Sequence, residues 1–182
     1  MVLLAHILNS LSTANVFDGD QLCQHIETDS VNAISDYGKH KIRCEHWIQQ
    51  ELQGEGIILR LSFVYEKTCP RIERLKMLVE EKKHIDTIRH LAINITTCKQ
   101  IAEWMEYVIE HQFKGIFHVG TDDTCDYMAL DQQLIRGLDL GKVTFNIERE
   151  EEQRCFAVIP HREEIPVNMH LNIQQVVDYL ID

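Results

Sequence analysis

Residues 35–61 read SDYGKHKIRCEHWIQQELQGEGIILRL, and the single change of period inside this stretch decides the fold. From Ser35 to Gln53 the apolar residues Cys44, Trp47, Ile48 and Leu52 recur at helical spacing and form one stripe, with Gly54 as the stop. Beyond it Ile57, Ile58, Leu59 and Leu61 make a short apolar run, the pattern of a buried strand. Upstream, the apolar run through Leu11 reads as a buried strand, with helix as the alternative, and it opens into a polar loop containing Asp18, Gly19 and Asp20. Downstream of Pro70 the spacing of Ile72, Leu75, Leu78 and Val79 predicts a second helix, and the alternation Leu91, Ile93, Ile95 predicts an exposed or edge strand. Ile101, Met105, Val108 and Ile109 mark a third helix ending near His111, followed by a strand from Gly115 to Val119. Leu130, Leu134 and Leu138 mark a fourth helix, then Gly141 and a strand over Val143 to Ile147. Glu148 to Glu152 reads as solvated surface, and Ile173, Val176, Val177 and Leu180 as a closing helix. Strands alternating with amphipathic helices define an α/β protein.

The 182 residues, 45% hydrophobic and 26% charged, fit one soluble globular domain or a compact pair of lobes sharing a core. Eighteen basic against twenty-nine acidic residues leave a formal charge of -11, which argues against nucleic-acid or anionic-membrane partners. The one mildly basic cluster is Lys39 to Arg43. Cys23, Cys44, Cys69, Cys98, Cys125 and Cys155 are widely spaced without a Cys-x-x-Cys pair, as in reduced thiols of a cytoplasmic protein. The apolar start is interrupted by His6, Asn9 and Ser10 and is too short for the ~20 residues a membrane span needs. His40, Cys44 and His46, with His25 nearby, do not supply a fourth ligand at zinc spacing, so no metal is expected.

Tyr37-Gly38-Lys39-His40-Lys41 carries the chemistry. Tyr and Lys four apart at a helix start share one face about one turn apart. A free phenol titrates near ~10, and a neighbouring ammonium favours the phenolate, so the pair can act as one acid-base unit. Tyr-x-x-x-Lys alone is frequent by chance, and a surface helix start is the bland reading.

Two further segments change that reading: Ser12-Thr13-Ala14-Asn15-Val16-Phe17-Asp18-Gly19 upstream, and Ile58-Leu59-Arg60-Leu61-Ser62-Phe63-Val64-Tyr65 downstream. In order and spacing the three resemble the signatures of the dTDP-4-dehydrorhamnose reductases, within the extended short-chain dehydrogenase/reductase superfamily. Asn94 to Ile101 and Gly115 to Gly120 resemble that family's substrate-binding region more diffusely.

The resemblance implies the carboxyl-terminal part of a Rossmann-like NAD(P)-binding fold with a small mixed α/β substrate-binding lobe. Residues 1–65 would be the remnant of the Rossmann-like domain, and 66–182 mainly the lobe, with the chain free to cross back to the sheet. It implies reduction of a dTDP-4-keto-6-deoxy sugar by NADPH or NADH. Tyr37 would protonate the carbonyl oxygen, Lys41 would tune Tyr37 and bind the cofactor ribose, and Thr13 would orient the carbonyl; Tyr37, Lys41 and Arg60 would contact the cofactor, and Ser12 and Phe63 the substrate.

Three departures stand out. Phe63 replaces a tryptophan, and Ala14-Asn15 replaces an Asp-Tyr pair. No Gly-x-x-Gly-x-x-Gly or Gly-x-Gly-x-x-Gly loop is present: Gly54-Glu55-Gly56 comes nearest, with Leu59 at the place of the third glycine. Missing front βα units would leave an apolar sheet edge for a second copy or a partner chain to cover. The alternative reading is a non-catalytic reductase-like binding or regulatory subunit, or an inactive truncated remnant.

Overall fold

The computed structural model describes residues 10–19 and 24–182, with 148–153 described by backbone alone. The expected strand over Met1–Asn9, and Asp20 and Cys23, lie outside those residues.

Strand β1 (Ser10–Thr13) runs into a short 3-10 helix (Ala14–Phe17). After a loop comes helix α1 (Asp36–Glu51), then strand β2 (Ile57–Leu61). β2 pairs parallel to β1, Leu11 opposite Leu59 and Thr13 opposite Leu61, so β1, α1 and β2 form a βαβ crossover. Helix α1 ends where the glycine was expected: Gln53 and Gly54 take left-handed φ values of 51° and 83°, a conformation that stops a helix. Ile57, Ile58 and Leu59 are almost fully buried, which is why β2 is apolar without alternation.

The short strand β3 (Phe63–Val64) leaves this sheet, and helix α2 (Pro70–Glu80) follows with proline in its first turn. Strands β4 (Ile85–Ile93) and β5 (Ile95–Thr96) lead to helix α3 (Cys98–Glu110), capped by Thr97. Strand β6 (Gly115–Val119) then returns to the first sheet, parallel to β2, giving the order β1-β2-β6. Between β2 and β6 on one side and α3 on the other lies a core of Ile57, Leu59, Trp104, Val108, Phe117 and Val119. The Trp104 ring is fully buried and its indole N–H donates to the Met169 carbonyl at 3.2 Å, so the burial leaves no orphan donor.

The lobe is built from β7 (Cys125–Asp126), α4 (Tyr127–Gly137), β8 (Phe145–Phe156) and α5 (Ile173–Ile181). Its sheet runs β7-β4-β8, with β7 antiparallel and β8 parallel to β4. Ile72, Leu75, Ile85, Ile93, Leu130, Leu134, Val176 and Leu180 form its core. Asn172 and Gln175 close a reciprocal capping box at the start of α5.

Three expectations are corrected. The Leu91–Ile93 part is neither exposed nor an edge: β4 lies between two strands, Ile93 is fully buried, and the chain breaks at Asn94 into β5, which pairs β3 in a separate two-stranded sheet. Its alternation reports one buried face, which a central strand of a helix-covered sheet shares with an edge strand. The strand expected over Val143 to Ile147 runs instead from Phe145 to Phe156 as β8, so its backbone continues through 148–152. On α1, Trp47 is 64% exposed while Ile48 is buried beside Glu45, 2% exposed, so the buried face takes in only part of the apolar stripe.

Candidate active site

The candidate residues gather at the carboxyl end of β1, the end at which open α/β sheets bind ligands. Thr13 closes β1 and caps the 3-10 helix: its hydroxyl oxygen accepts from the Asn15 backbone N–H at 3.3 Å and donates to Asn15 Oδ1 at 3.0 Å. Ala14, Val16 and Phe17 turn into the core and hold this turn down.

Asp18 then ties the turn to the start of α1. Its carboxylate accepts from the Ile34 N–H at 2.6 Å, from the Ser35 N–H at 3.3 Å and from the Ser35 hydroxyl. Ser35 is in turn the helix N-cap, accepting from the Gly38 N–H at 3.0 Å. Gly38 completes the junction by lacking a side chain: a Cβ there would stand 2.3 Å from the Asn15 carbonyl oxygen and 2.7 Å from Ala33 Cβ. The first turn of α1 is thus pressed against the residues that follow Thr13.

Tyr37 stands in that turn with 54% of its surface exposed, and Lys41, one turn on, donates from Nζ to the Leu11 carbonyl at 2.9 Å. Thr13, Tyr37 and Lys41 therefore lie on abutting segments, with the phenol open to solvent.

Ser12 and Arg60, expected on substrate and cofactor, are turned into the interior. Ser12 is 5% exposed and its hydroxyl donates to Glu45 Oε1. Arg60 is 3% exposed; Nε lies 3.1 and 3.2 Å from the two Glu45 oxygens and Nη2 donates to Oε2 at 2.8 Å. The guanidinium also lies 5.1 Å above the Phe17 ring. A buried guanidinium must be paired, and Glu45 supplies the pair. Behind it His118 has Nδ1 at 3.1 Å from the His25 carbonyl and 3.3 Å from the Ile159 carbonyl, so Nδ1 carries the proton and Nε2 faces Arg60 Nη1 at 3.5 Å. Burial, and then the Arg60 charge, bring His118 down to about 3, so the ring is neutral near pH 7.

Phe63 is half-buried on the lobe side, its ring 6.2 Å from that of Tyr127. Tyr127 lies 4.9 Å beneath the Arg71 guanidinium, and Arg71 forks onto the fully buried Asp131, with Nε at 3.1 Å from Oδ1. Burial raises the Asp131 carboxyl against the opposing pull of Arg71, and burial likewise raises the Tyr127 phenol. The sequence reading missed Tyr127, Arg71, Asp18 and Glu45. The Asp-Gly after Phe17 was visible as a motif, but Arg71 and Asp131 are 60 residues apart with no local signal of their meeting.

A cleft of about 350 Å³ is lined by His90, Ala92, Thr124, Cys125 and Asp126. Its thiol is no nucleophile: burial, with Asp123, Asp126 and Asp131 around it, pushes Cys125 up to about 12. A wider cavity of about 500 Å³ beside α3 is lined by Glu103, Glu106 and Glu110, a poor surface for an anionic ligand. Cys44, Cys69, Cys98 and Cys125 are free thiols. Among the described residues no group of three metal-ligating side chains converges, and no helix is long and apolar enough to cross a membrane.

A parallel sheet with its crossover helix, and a polar cluster at the strand ends, define a Rossmann-like α/β protein. Solved structures share the fold. The dTDP-4-dehydrorhamnose reductase of Clostridium acetobutylicum matches with a TM-score of 0.74 at 22% identity, over 86% of this chain and 57% of that one. That of Bacillus anthracis, solved with NADP, matches at 0.75 and 17% identity over 93% and 63%. The dTDP-glucose 4,6-dehydratase of Bacillus anthracis, solved with NAD, matches at 0.73 and 14% identity over 94% and 59%. Residues 4–164 match the RmlD substrate binding domain, and the chain belongs to that family. A curated relative, the dTDP-4-keto-6-deoxy-D-glucose reductase of Streptomyces niveus, is 24% identical over 136 residues, 73% of this chain. The chain spans about half the length of that relative, 47%.

Proposed function

We propose that this chain is the substrate-binding and acid-base portion of a sugar-nucleotide reductase acting on a dTDP-4-keto-6-deoxy sugar. The observation that carries the reading is the seating of Gly38 on the Asn15 carbonyl, which sets Tyr37 and Lys41 of α1 beside Thr13 at the end of β1. Tyr37 donates its proton to the carbonyl oxygen as that carbon is reduced. Lys41 holds the phenol side of the site positive and stabilises the phenolate left behind, and the Thr13 hydroxyl holds the carbonyl in line. Phe63 and Tyr127 offer aromatic faces to the sugar.

A bound NADPH or NADH supplies hydride to the carbonyl carbon in this chemistry. On this reading Tyr37 and Lys41 would hold its nicotinamide end, and no described loop fits its pyrophosphate. Gly54 and Gly56 lie in the turn from the end of α1 to the start of β2, whereas a pyrophosphate loop leads from a strand end into a helix N-terminus. The pyrophosphate contacts are therefore expected from another segment or chain. Among the described strands β1 has a sheet partner on one side only, and a second copy or partner chain beside it is expected to appear as a dimer or larger species in light scattering.

The test is NAD(P)H oxidation followed in the presence of a dTDP-4-keto-6-deoxy sugar. Tyr37→Phe is expected to lower turnover by about 10²-fold or more with substrate binding unchanged. Full turnover in Tyr37→Phe would remove Tyr37 as the donor.

A further inference from the structure

Glu45 lies one turn beyond Lys41 and two beyond Tyr37 on α1, and it faces the protein interior. A carboxylate is costly to bury unless every oxygen is met. Here the Ser12 hydroxyl meets Oε1 from β1, and Arg60 meets both oxygens from β2. Arg60 is itself held by the Phe17 ring and by His118 on β6. One side chain of the helix is thereby pinned to two neighbouring strands, and through Arg60 to a third.

Apolar contact holds α1 through few residues, among them Ile42 against the Ala14, Val16 and Phe17 cluster. Of its apolar stripe only Ile48 is buried, and Trp47 points to solvent. A turn of the helix by one residue, about 100°, would carry Ile42 and Ile48 out of their packing and would also leave the Arg60 guanidinium buried without a carboxylate. The polar anchor acts on rotation and axial register midway along α1, as the Gly38 seating does at its first turn.

We propose that Glu45 is a positioning residue: with Ser12 and Arg60 it fixes the rotation of α1 and so the placement of Tyr37 and Lys41 against Thr13. The role rests on the acid-base reading of Tyr37 and Lys41 given above, while the anchoring itself can be read without turnover.

The experiment uses the 182-residue chain labelled with 3-fluorotyrosine, the Tyr37 signal being assigned by its loss in Tyr37→Phe. Glu45→Met/Arg60→Met exchanges the ion pair for apolar side chains of similar volume, a change that buried pairs tolerate. Ser12→Ala removes one hydrogen bond and leaves the pair. The double variant is expected to melt within a few degrees of the parent and yet to shift or split the Tyr37 fluorine signal, and Ser12→Ala to move it less in the same direction. With a nucleotide-sugar substrate and NADPH, kcat of the double variant is expected to fall about tenfold or more while KM changes less than about twofold. A merely structural role would lower the melting temperature without moving the Tyr37 signal, and an unmoved signal in both variants overturns the proposal. Should the double variant fail to fold, Ser12→Ala decides alone by the same signal. Absence of turnover in the parent would count against the reductase reading and leave the fluorine result standing.

Discussion

Gly38→Ala probes the junction on which the site depends. The added methyl would sit 2.3 Å from the Asn15 carbonyl oxygen and 2.7 Å from Ala33 Cβ, about an ångström inside normal contact. Both obstacles are short or backbone groups with no rotamer to swing aside. Relief therefore requires the first turn of α1 to move off the 3-10 helix, or the Asp18–Ser35 bonds to stretch. Overpacking of this kind costs about 3 kcal/mol at the upper end of its usual range. Alanine returns about 1 kcal/mol through its higher helix propensity. The net expectation is a loss of about 2 kcal/mol, which for a chain of this size lowers Tm by roughly 4–8 °C. Thermal unfolding followed by circular dichroism measures it, and hydrogen exchange at Lys39 to Lys41 should accelerate in the same variant. Where turnover is measurable it should fall about 10²-fold, as expected for a displacement near an ångström. A Gly38→Ala protein as stable as the parent, or more so, would refute the close seating of α1 on the turn.

Asp18→Ala removes the acceptor shared by Ile34, Ser35 and the Ser35 hydroxyl; a loss of about 1–2 kcal/mol is expected in denaturant unfolding, with no loss contradicting its role as the tie. His118 predicts a pH dependence. Its folded value, about 3, lies below the 6.5 of an unfolded histidine, so the unfolded chain binds more protons between those values. This contribution to stability is present above pH 6.5 and is lost as pH falls from there towards 3; His118→Gln should flatten that limb in melts taken across the range. Asp131→Asn leaves the forked Arg71 without its carboxylate and is expected to cost about 3 kcal/mol, read by chemical denaturation.

The crossover was legible in the sequence because its signals are local. Ser35, Gly54 and the run Ile57 to Leu61 mark the ends of α1 and the whole of β2, and His111 marks the end of α3. The place of β4 was not legible, since alternation shows how many faces are buried and not how many neighbours a strand has. The extent of β8 was hidden by its charges, which mimic a loop. In the candidate site, Thr13, Tyr37 and Lys41 stood out because they fall within short local motifs. Ser12 and Arg60 were placed on ligands because Glu45, the group that draws them inward, reads as an ordinary surface carboxylate until the helix is docked. The Phe63, Tyr127 and Arg71 cluster joins three separate elements, and only the assembled lobe shows it.

The central claim is that this chain carries a sugar-nucleotide site. Titration calorimetry of the purified chain with dTDP, beside NADPH and NADH, carried to millimolar concentration, tests it most directly. Saturable binding of dTDP is predicted, with the dinucleotides binding more weakly in the absence of a pyrophosphate loop. Absence of heat for dTDP across that range would contradict the claim.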